Sequence, residues 1–374
     1  MKNVGMKGID VAIITNMPPY SGGGRYAFEL FKNLHRKTDA KLVYCGPREK
    51  LGSSEVKIIA GGIKVPLLKR TLNAYFYYPS RIPNFQLYHI TNQLLTRIAK
   101  FKRPCVITIL DLYFYKSKRS GPWITRYLMN RSLKYLARCD RIIAISKDTK
   151  RDVSRLLGID PKKIDVVYLG VDHNFYWPRG KMLSRKKLRL PLDKNIVLNF
   201  GSDGDYRKNV ENVIKSFAKM LERKRDSILI RVGKTDTRIT ELIAKLGIEE
   251  NVVRIEKVNE KDMPYYYSCA DTYLCLDIET GFGLPILESM TCGTPVVCSN
   301  RGAFPEVVGK SGFLVDPQDP RKVGACLVKM LSDKKLEARF VQNGQKWAKN
   351  FTWEKMADET LKVYEKVVKE TTRH

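Results

Sequence analysis

The chain has 374 residues, 43% of them hydrophobic and 10% aromatic, and carries a formal charge of +29. No run of eighteen apolar residues occurs, which speaks against a membrane-spanning helix, and the length exceeds what one ordinary core serves, so two domains are expected. The eight cysteines contain no C-x-x-C pair, so free buried thiols in a cytosolic protein are expected rather than zinc or a disulfide framework.

Residues 9–15 form an apolar run of strand length, too short for a signal peptide, followed by a loop to Gly24 and an amphipathic helix over 25–36. Strand, glycine loop and helix open a wound α/β domain. Further strands are expected at 41–45, 56–59, 87–91, 105–110, 141–145 and 165–169, with helices at 123–138 and 148–157. Such alternation implies a parallel sheet. This half is also strongly basic: residues 1–175 hold 32 Lys/Arg against 12 Asp/Glu, and 97–138 hold eleven cations and one acid, Asp111. A surface of that kind attracts anionic lipid headgroups, nucleic acid or an anionic small molecule.

The pattern breaks from 172 to 193, where Trp177-Pro-Arg-Gly180 and a charged run at 184–189 mark a boundary. It restarts with strands at 196–200, 228–232, 252–256, 272–276 and 295–299. Helices are expected at 210–223, 239–246 and 261–269, and a short segment at 303–309 follows. The tail, at 322–331, 336–349 and 354–369, reads as helical. The division is therefore 1–178, a linker at 179–194, 195–352, and a tail from 353 to 374. Two wound α/β domains in series leave a cleft, with the carboxyl ends of both sheets as the natural ligand sites.

Several motifs are missing. Gly309-Lys310-Ser311 resembles the end of a phosphate-binding loop, but Phe304 stands where its first glycine is required. There is no G-x-G-x-x-G, H-E-x-x-H or G-x-S-x-G. The positive signal is Asp277-Ile-Glu-Thr-Gly-Phe-Gly-Leu-Pro-Ile-Leu-Glu288, a strand end, glycine turn and helix start in twelve residues. Pro285 suits the first helical position and Gly293 the stop, so the amides of Gly283 and Leu284 offer an anion seat. Glu288, one turn in, leans back toward that seat, where a carboxylate fits if it accepts hydrogen bonds from a ribose diol. Tyr20-Ser-Gly-Gly-Gly-Arg25 follows the first strand and can wrap amides around an anion. Phe200-Gly-Ser-Asp-Gly-Asp-Tyr-Arg207-Lys208-Asn209 mirrors it in the second half with two adjacent cations, which suit a diphosphate. A tight turn with exposed charges is the alternative reading of each.

Gly281-Phe-Gly-Leu-Pro-Ile-Leu-Glu288, the Arg207-Lys208-Asn209 element, Leu169-Gly-Val-Asp172, Ile145-Ser-Lys-Asp-Thr-Lys-Arg-Asp152 and Gly293-Thr-Pro-Val-Val297 together resemble the retaining, metal-independent group 1 glycosyltransferases of family four. The resemblance spans nearly the whole chain, in order. It implies the GT-B fold, two Rossmann-like domains facing a cleft, with a final helix from about Glu354 crossing back to the first domain. It also implies a hexosyltransferase that moves a sugar from a nucleotide sugar to a hydroxyl acceptor, with no metal or other cofactor. Arg207 and Lys208 then match the cations that bind the donor diphosphate and steady the leaving phosphate. Glu288 matches the carboxylate on the donor ribose. Gly283 and Leu284 match phosphate-binding amides, and Gly23 and Gly24 the first-domain loop near the reacting centre. His89 and Asp111 fall at strand ends as catalytic candidates, and base contacts are expected around Val258 and Asn259. The family spaces two glutamates by seven residues. Here the place of the first is Thr280, and Glu279 stands one residue early: either a loop bulge lets Glu279 reach the donor sugar, or Asp277 or a backbone amide takes that place.

The basic first half, with Tyr75-Phe-Tyr-Tyr78 and Tyr113-Phe-Tyr115 beside Lys116 to Arg119, suggests a peripheral seat on the inner face of an anionic membrane and a lipid-linked or glycan acceptor. Two other readings compete. A nucleotide-sugar epimerase of the same fold would turn over donor without acceptor. A basic RNA-binding protein would explain charge and aromatics, but no RNA-binding motif is present, so no nucleic-acid partner is expected.

Overall fold

The computed structural model describes residues 8–46, 56–64, 68–117 and 122–371. Short aliphatic runs, buried on both faces, build two parallel sheets, as continuous apolar strands must when helices cover both sides. The first sheet contains β1 (Asp10–Thr15), β2 (Asp39–Cys45), β3 (Val56–Ile59), β4 (Leu87–Ile90), β5 (Cys105–Ile109), β6 (Arg141–Ala144) and β7 (Ile164–Val166). Its order is β3-β2-β1-β4-β5-β6-β7. The second contains β8 (Asn195–Phe200), β9 (Ser227–Val232), β10 (Val252–Ile255), β11 (Thr272–Cys275), β12 (Val296–Ser299) and β13 (Gly312–Val315), ordered β10-β9-β8-β11-β12-β13. Each sheet therefore reverses its winding once, between β1 and β4 and between β8 and β11. At such a switch point the loops leave in opposite directions and open a crevice beyond the carboxyl ends.

The chain forms two compact units, residues 1–170 with 353–374, and residues 171–352. The stretch 179–194, expected as a linker, folds into the second unit with a helix at Lys181–Lys187. The cause is Arg185, a buried cation inside a run that reads as a solvated loop. Its Nη2 meets Asp271 Oδ2 at 2.7 Å and its Nη1 donates to the carbonyls of Leu192 and Lys194. Asp271 in turn accepts from the Ile196 amide at 2.7 Å, so the pair fixes the start of β8.

The last helix, Trp353–Thr371, belongs to the first unit. Trp353, Met356, Ala357, Thr360, Val363, Tyr364 and Val367 give it one buried stripe at helical spacing. Ion pairs Lys37–Asp358 and Lys366–Asp165 flank that stripe. The first helix starts at Gly22 rather than 25, because Ser21 caps it by accepting the Gly24 amide at 3.1 Å. Helix 123–138 is α-helical over Trp123–Leu133 and tightens to a 3-10 turn at Lys134–Arg138. The 303–309 segment is a short helix, Phe304–Val308, leading into β13, a strand the sequence pattern does not announce.

Candidate active site

In the second unit β8 ends at Phe200 and the next nine residues are folded by specific pairs. Gly201 has φ 151°, and a Cβ there would fall 2.9 Å from the Lys208 side chain, so glycine lets the lysine stem cross the backbone. Beneath, the buried Arg231 of β9 donates to the Gly201 carbonyl at 2.6 Å and pairs with Asp203, whose other oxygen accepts the Asp236 amide at 3.0 Å. Burial pulls the Arg231 pKa down, against the attraction of Asp203. Asp205 caps the turn Tyr206–Lys208 and holds the Arg207 guanidinium with contacts of 3.1 and 2.8 Å. Burial would raise the Asp205 pKa, but Arg207, with Lys208 behind it, brings it below the usual carboxylate range. Asn209, at φ 49°, donates to the carbonyls of Leu276 and Pro317 at 3.2 and 2.8 Å, stitching the exit of β8 to that of β11.

Lys208 reaches across that stitch: its Nζ lies 2.6 Å from Asp277 Oδ2. Burial lowers its pKa, but Asp277 outweighs that and carries it above the ordinary lysine value. The pair stands at the switch point, one partner after β8 and one after β11. The following loop is pinned on two sides, by the Ile278 amide to the Arg207 carbonyl at 2.9 Å and by the Ala303 amide to the Thr280 carbonyl at 3.4 Å. Glu279, half-buried, lies between these anchors.

Gly283 has φ 107°, and a Cβ there would meet the Phe304 ring at 2.7 Å. It precedes the helix Leu284–Thr291, where Pro285 sits in the first turn. The amides of Gly283 and Leu284 have no acceptor among the described residues. Glu288 is buried, and its Oε2 accepts from Tyr267 Oη at 2.7 Å. Burial first, and then the neighbouring Glu288, hold the Tyr267 hydroxyl far above its usual pKa, so it remains a donor. The Tyr267 ring packs 5.2 Å from Phe200 and 5.8 Å from Tyr273, which ties Glu288 to the same strand ends. Arg207, Lys208, Glu279, Gly283, Leu284 and Glu288 are thus gathered at the carboxyl ends of β8 and β11. Val258 is half-buried in the loop after β10, and Asn259 caps the turn Glu260–Asp262.

In the first unit, Gly23 and Gly24 lie in the first turn of the helix after β1. A Cβ at Gly23 would come 2.8 Å from Leu110, and one at Gly24 only 1.8 Å from the Pro18 carbonyl oxygen. Asp111 follows β5, and its Oδ1 accepts the Tyr113 amide at 3.1 Å. These three sit at the carboxyl edge of the sheet. His89 does not, and its expected place at a strand end is corrected: it pairs in register with Ile13 and Val106 inside β4 and is fully buried. Both ring nitrogens are engaged, Nδ1 with Tyr364 Oη at 2.6 Å and Nε2 with Thr108 Oγ1 at 2.8 Å. Burial pushes its pKa down to about 3, so the ring is neutral and serves to fasten the last helix.

Four contributions go beyond the sequence reading: Asp277 as partner of Lys208 rather than as a stand-in for the missing glutamate, Asn209 as the stitch, Tyr267 as holder of Glu288, and the Arg231–Asp203 pair. Asp277 and Asn209 stand inside the quoted motifs, and Arg231 is a charged residue inside the apolar strand run 228–232.

A family model described as "Glycosyl transferases group 1" matches residues 181–347, and one described as "Glycosyltransferase Family 4" matches residues 20–175. The O-antigen chain mannosyltransferase B of Escherichia coli is 26% identical over 92% of this chain and 96% of its own. Other curated relatives are matched over only 52% to 62% of their length. Among solved structures, sucrose-phosphate synthase of Thermosynechococcus elongatus aligns over 97% of this chain and 100% of that one, with a TM-score of 0.81 and 21% identity. The Anabaena HepE protein in complex with UDP and glucose aligns over 96% and 100%, with a TM-score of 0.78 and 18% identity. These likenesses show the fold, the two-domain GT-B architecture.

Proposed function

The chain belongs to the group 1 glycosyltransferases, and from that premise we propose that it moves a hexose from a nucleotide sugar to a hydroxyl acceptor, with retention at the anomeric carbon and without a metal ion. The observation that carries this reading is the Lys208–Asp277 pair at the β8/β11 switch point, beside the amides of Gly283 and Leu284. A diphosphate suits that place: amides and a helix start on one side, a fully charged ammonium on the other. Asp277 keeps Lys208 protonated and aimed. Arg207, oriented by Asp205, supplies a second charge. Glu288, steadied by Tyr267, accepts from the ribose hydroxyls, and Glu279 faces the donor sugar. Val258 lies where the base would rest.

In the proposed step the bond between the anomeric carbon and the phosphate oxygen breaks while the acceptor oxygen bonds on the same face. The departing phosphate takes the acceptor's proton, and Lys208 and Arg207 hold the charge that develops. Asp111, through the Tyr113 amide, positions the loop after β5 on the acceptor-side unit. A reducing, cytoplasmic compartment goes with this reading, in keeping with eight cysteines that contain no C-x-x-C pair. A lipid-linked or glycan acceptor at the inner membrane face fits the basic first half. No helix among the described residues is long and apolar enough to cross a membrane.

The test is a calorimetric and thermal-shift panel of nucleotide sugars, with and without EDTA, followed by turnover with candidate acceptors. A cognate donor should raise the melting temperature equally in both. If none binds at millimolar concentration the donor site is wrong, and donor isomerised without acceptor would make the protein an epimerase.

A further inference from the structure

The aromatic clusters that suggest a membrane contact in the sequence are mostly core. Tyr75, Tyr78 and Tyr113 are buried, Tyr115 bonds back to the Leu156 carbonyl, and Lys118 and Arg119 lie outside the described residues. A different surface takes their place. The helix Trp123–Leu133 buries Leu128, Met129, Ser132 and Leu133 and turns the opposite stripe outward. On that stripe Trp123 is 71% exposed and Tyr127 52%, and Arg131, Lys134 and Arg138 follow at helical spacing, all exposed. The same helix packs against the turns Gln93–Lys100, and Thr125 Oγ1 meets Thr71 Oγ1 at 3.3 Å. The second aromatic group therefore adjoins it: Phe76 is 52% exposed and Phe101 47%, with the Arg97 guanidinium 5.5 and 6.0 Å from their rings and 4.5 Å from Tyr75. Arg131 closes the join by donating to Tyr75 Oη at 3.2 Å.

Four large rings on one face is more apolar surface than a soluble fold leaves to water without cause, and the cations among them have no acidic counterpart in the sequence from 97 to 138 except Asp111. We infer that Trp123, Tyr127, Phe76 and Phe101, with Arg97, Arg131 and Lys134, form the surface by which the first unit docks on an anionic lipid bilayer. Trp123 and Tyr127, rings with a polar tip, sit at headgroup depth, Phe76 and Phe101 add apolar area, and the exposed stems of Arg131 and Lys134 reach up to the phosphates while the half-buried Arg97 adds positive charge beneath the rings. A nucleic acid is the less favoured occupant. Single strands need open ring faces in a basic groove, whereas here the Arg97 guanidinium stands over the rings of Phe76 and Phe101 and the Trp123–Tyr127 stripe lies along the outer side of a helix. The inference deepens the proposed reading of an acceptor at the membrane. It stands on this patch and not on the donor site.

Vesicles of phosphatidylcholine alone, or with about one third phosphatidylglycerol, test it by co-sedimentation with the full chain. The protein should partition at least about tenfold more strongly onto the anionic vesicles. Trp123→Glu with Tyr127→Glu should lose at least about tenfold of that binding, and Arg131→Glu with Lys134→Glu a comparable share. Trp177→Glu, at an aromatic of the second unit, should change nothing. Donor-induced thermal shift, measured in parallel, should be the same in all variants, so failure of the donor reading and failure of this one are seen separately. Equal binding to both vesicle types, no binding to either, insensitivity to the Trp123/Tyr127 change, equal loss in the Trp177 control, or displacement of the protein from vesicles by single-stranded RNA would each overturn the assignment.

Discussion

Asp277 faces Lys208 at 2.6 Å and holds its pKa above the ordinary lysine value, against a burial that lowers it. Lys208→Ala should lower kcat by about 100-fold or more, the usual cost of removing one preorganised charge, with the fold retained but the melting temperature lowered, because the buried Asp277 is left unpaired. Near-normal turnover would remove the lysine from the mechanism. Asp277→Asn is more discriminating. With the carboxylate gone, the largest influence opposing burial is removed and the Lys208 pKa falls, so the basic limb of the kcat profile should move to lower pH. An unmoved limb would mean that Lys208 does not carry the charge. His89 gives a prediction about stability. Its folded pKa of about 3 lies below the ordinary histidine value of 6.5, so the unfolded state binds the extra proton and stability is lost as pH falls below 6.5. By pH about 5 this should cost about 1–2 kcal/mol. Urea unfolding of wild type and His89→Asn across that range should give a steeper acid loss for the wild type. The difference between these two residues is also one of legibility. Lys208 stands in the first turn after a strand and a glycine, where position alone implies a ligand. For His89 the sequence gives residue type and strand, but not that Tyr364, 275 positions later, occupies its ring nitrogen.

At the scale of elements, the strand–helix alternation was readable because parallel strands are apolar on both faces and the covering helices keep one stripe. The failures occur where tertiary contacts override local character. Arg185 makes a charged run fold as part of the second unit, and β13 is short, with a Gly312 whose added Cβ would meet the Val296 carbonyl at 2.6 Å. Gly283 was legible for a related reason, since a glycine at a helix start, two residues ahead of Pro285, permits both a left-handed backbone and close approach. Its neighbours now make that quantitative. Gly283→Ala sets a side chain at φ 107° and 2.7 Å from the Phe304 ring, so the helix start must move. Strain of about 1–3 kcal/mol is expected at such a position, and nucleotide-sugar binding should weaken more than the melting temperature falls. Calorimetry on the variant decides this, and unchanged affinity would show that the helix start is not where the donor sits.

The whole molecule carries its chain into the second unit after residue 170 and returns at 353, so the first unit is built from both ends of the sequence while the second is continuous. That asymmetry has an energetic consequence. The last helix buries Trp353, Met356, Val363, Tyr364 and Val367, each at 2% exposure or less. At about 1.5–3 kcal/mol for each large apolar side chain, their burial is comparable with the 5–15 kcal/mol that holds a typical domain together. The buried His89 would also lose its Tyr364 partner, at about 1–3 kcal/mol more. A chain ending at Thr352 should therefore have a first unit unable to fold at ordinary temperature and a second unit nearly intact. Calorimetry of that truncated chain should show one transition, still raised by the cognate nucleotide sugar, where the full chain shows the unfolding of both units. Tyr364→Phe in the full chain should lower the first unit's transition alone. If the truncated chain melts like the full one, the last helix is an accessory and not a structural part of the first unit. If nucleotide no longer raises the remaining transition, the second unit does not hold the donor by itself.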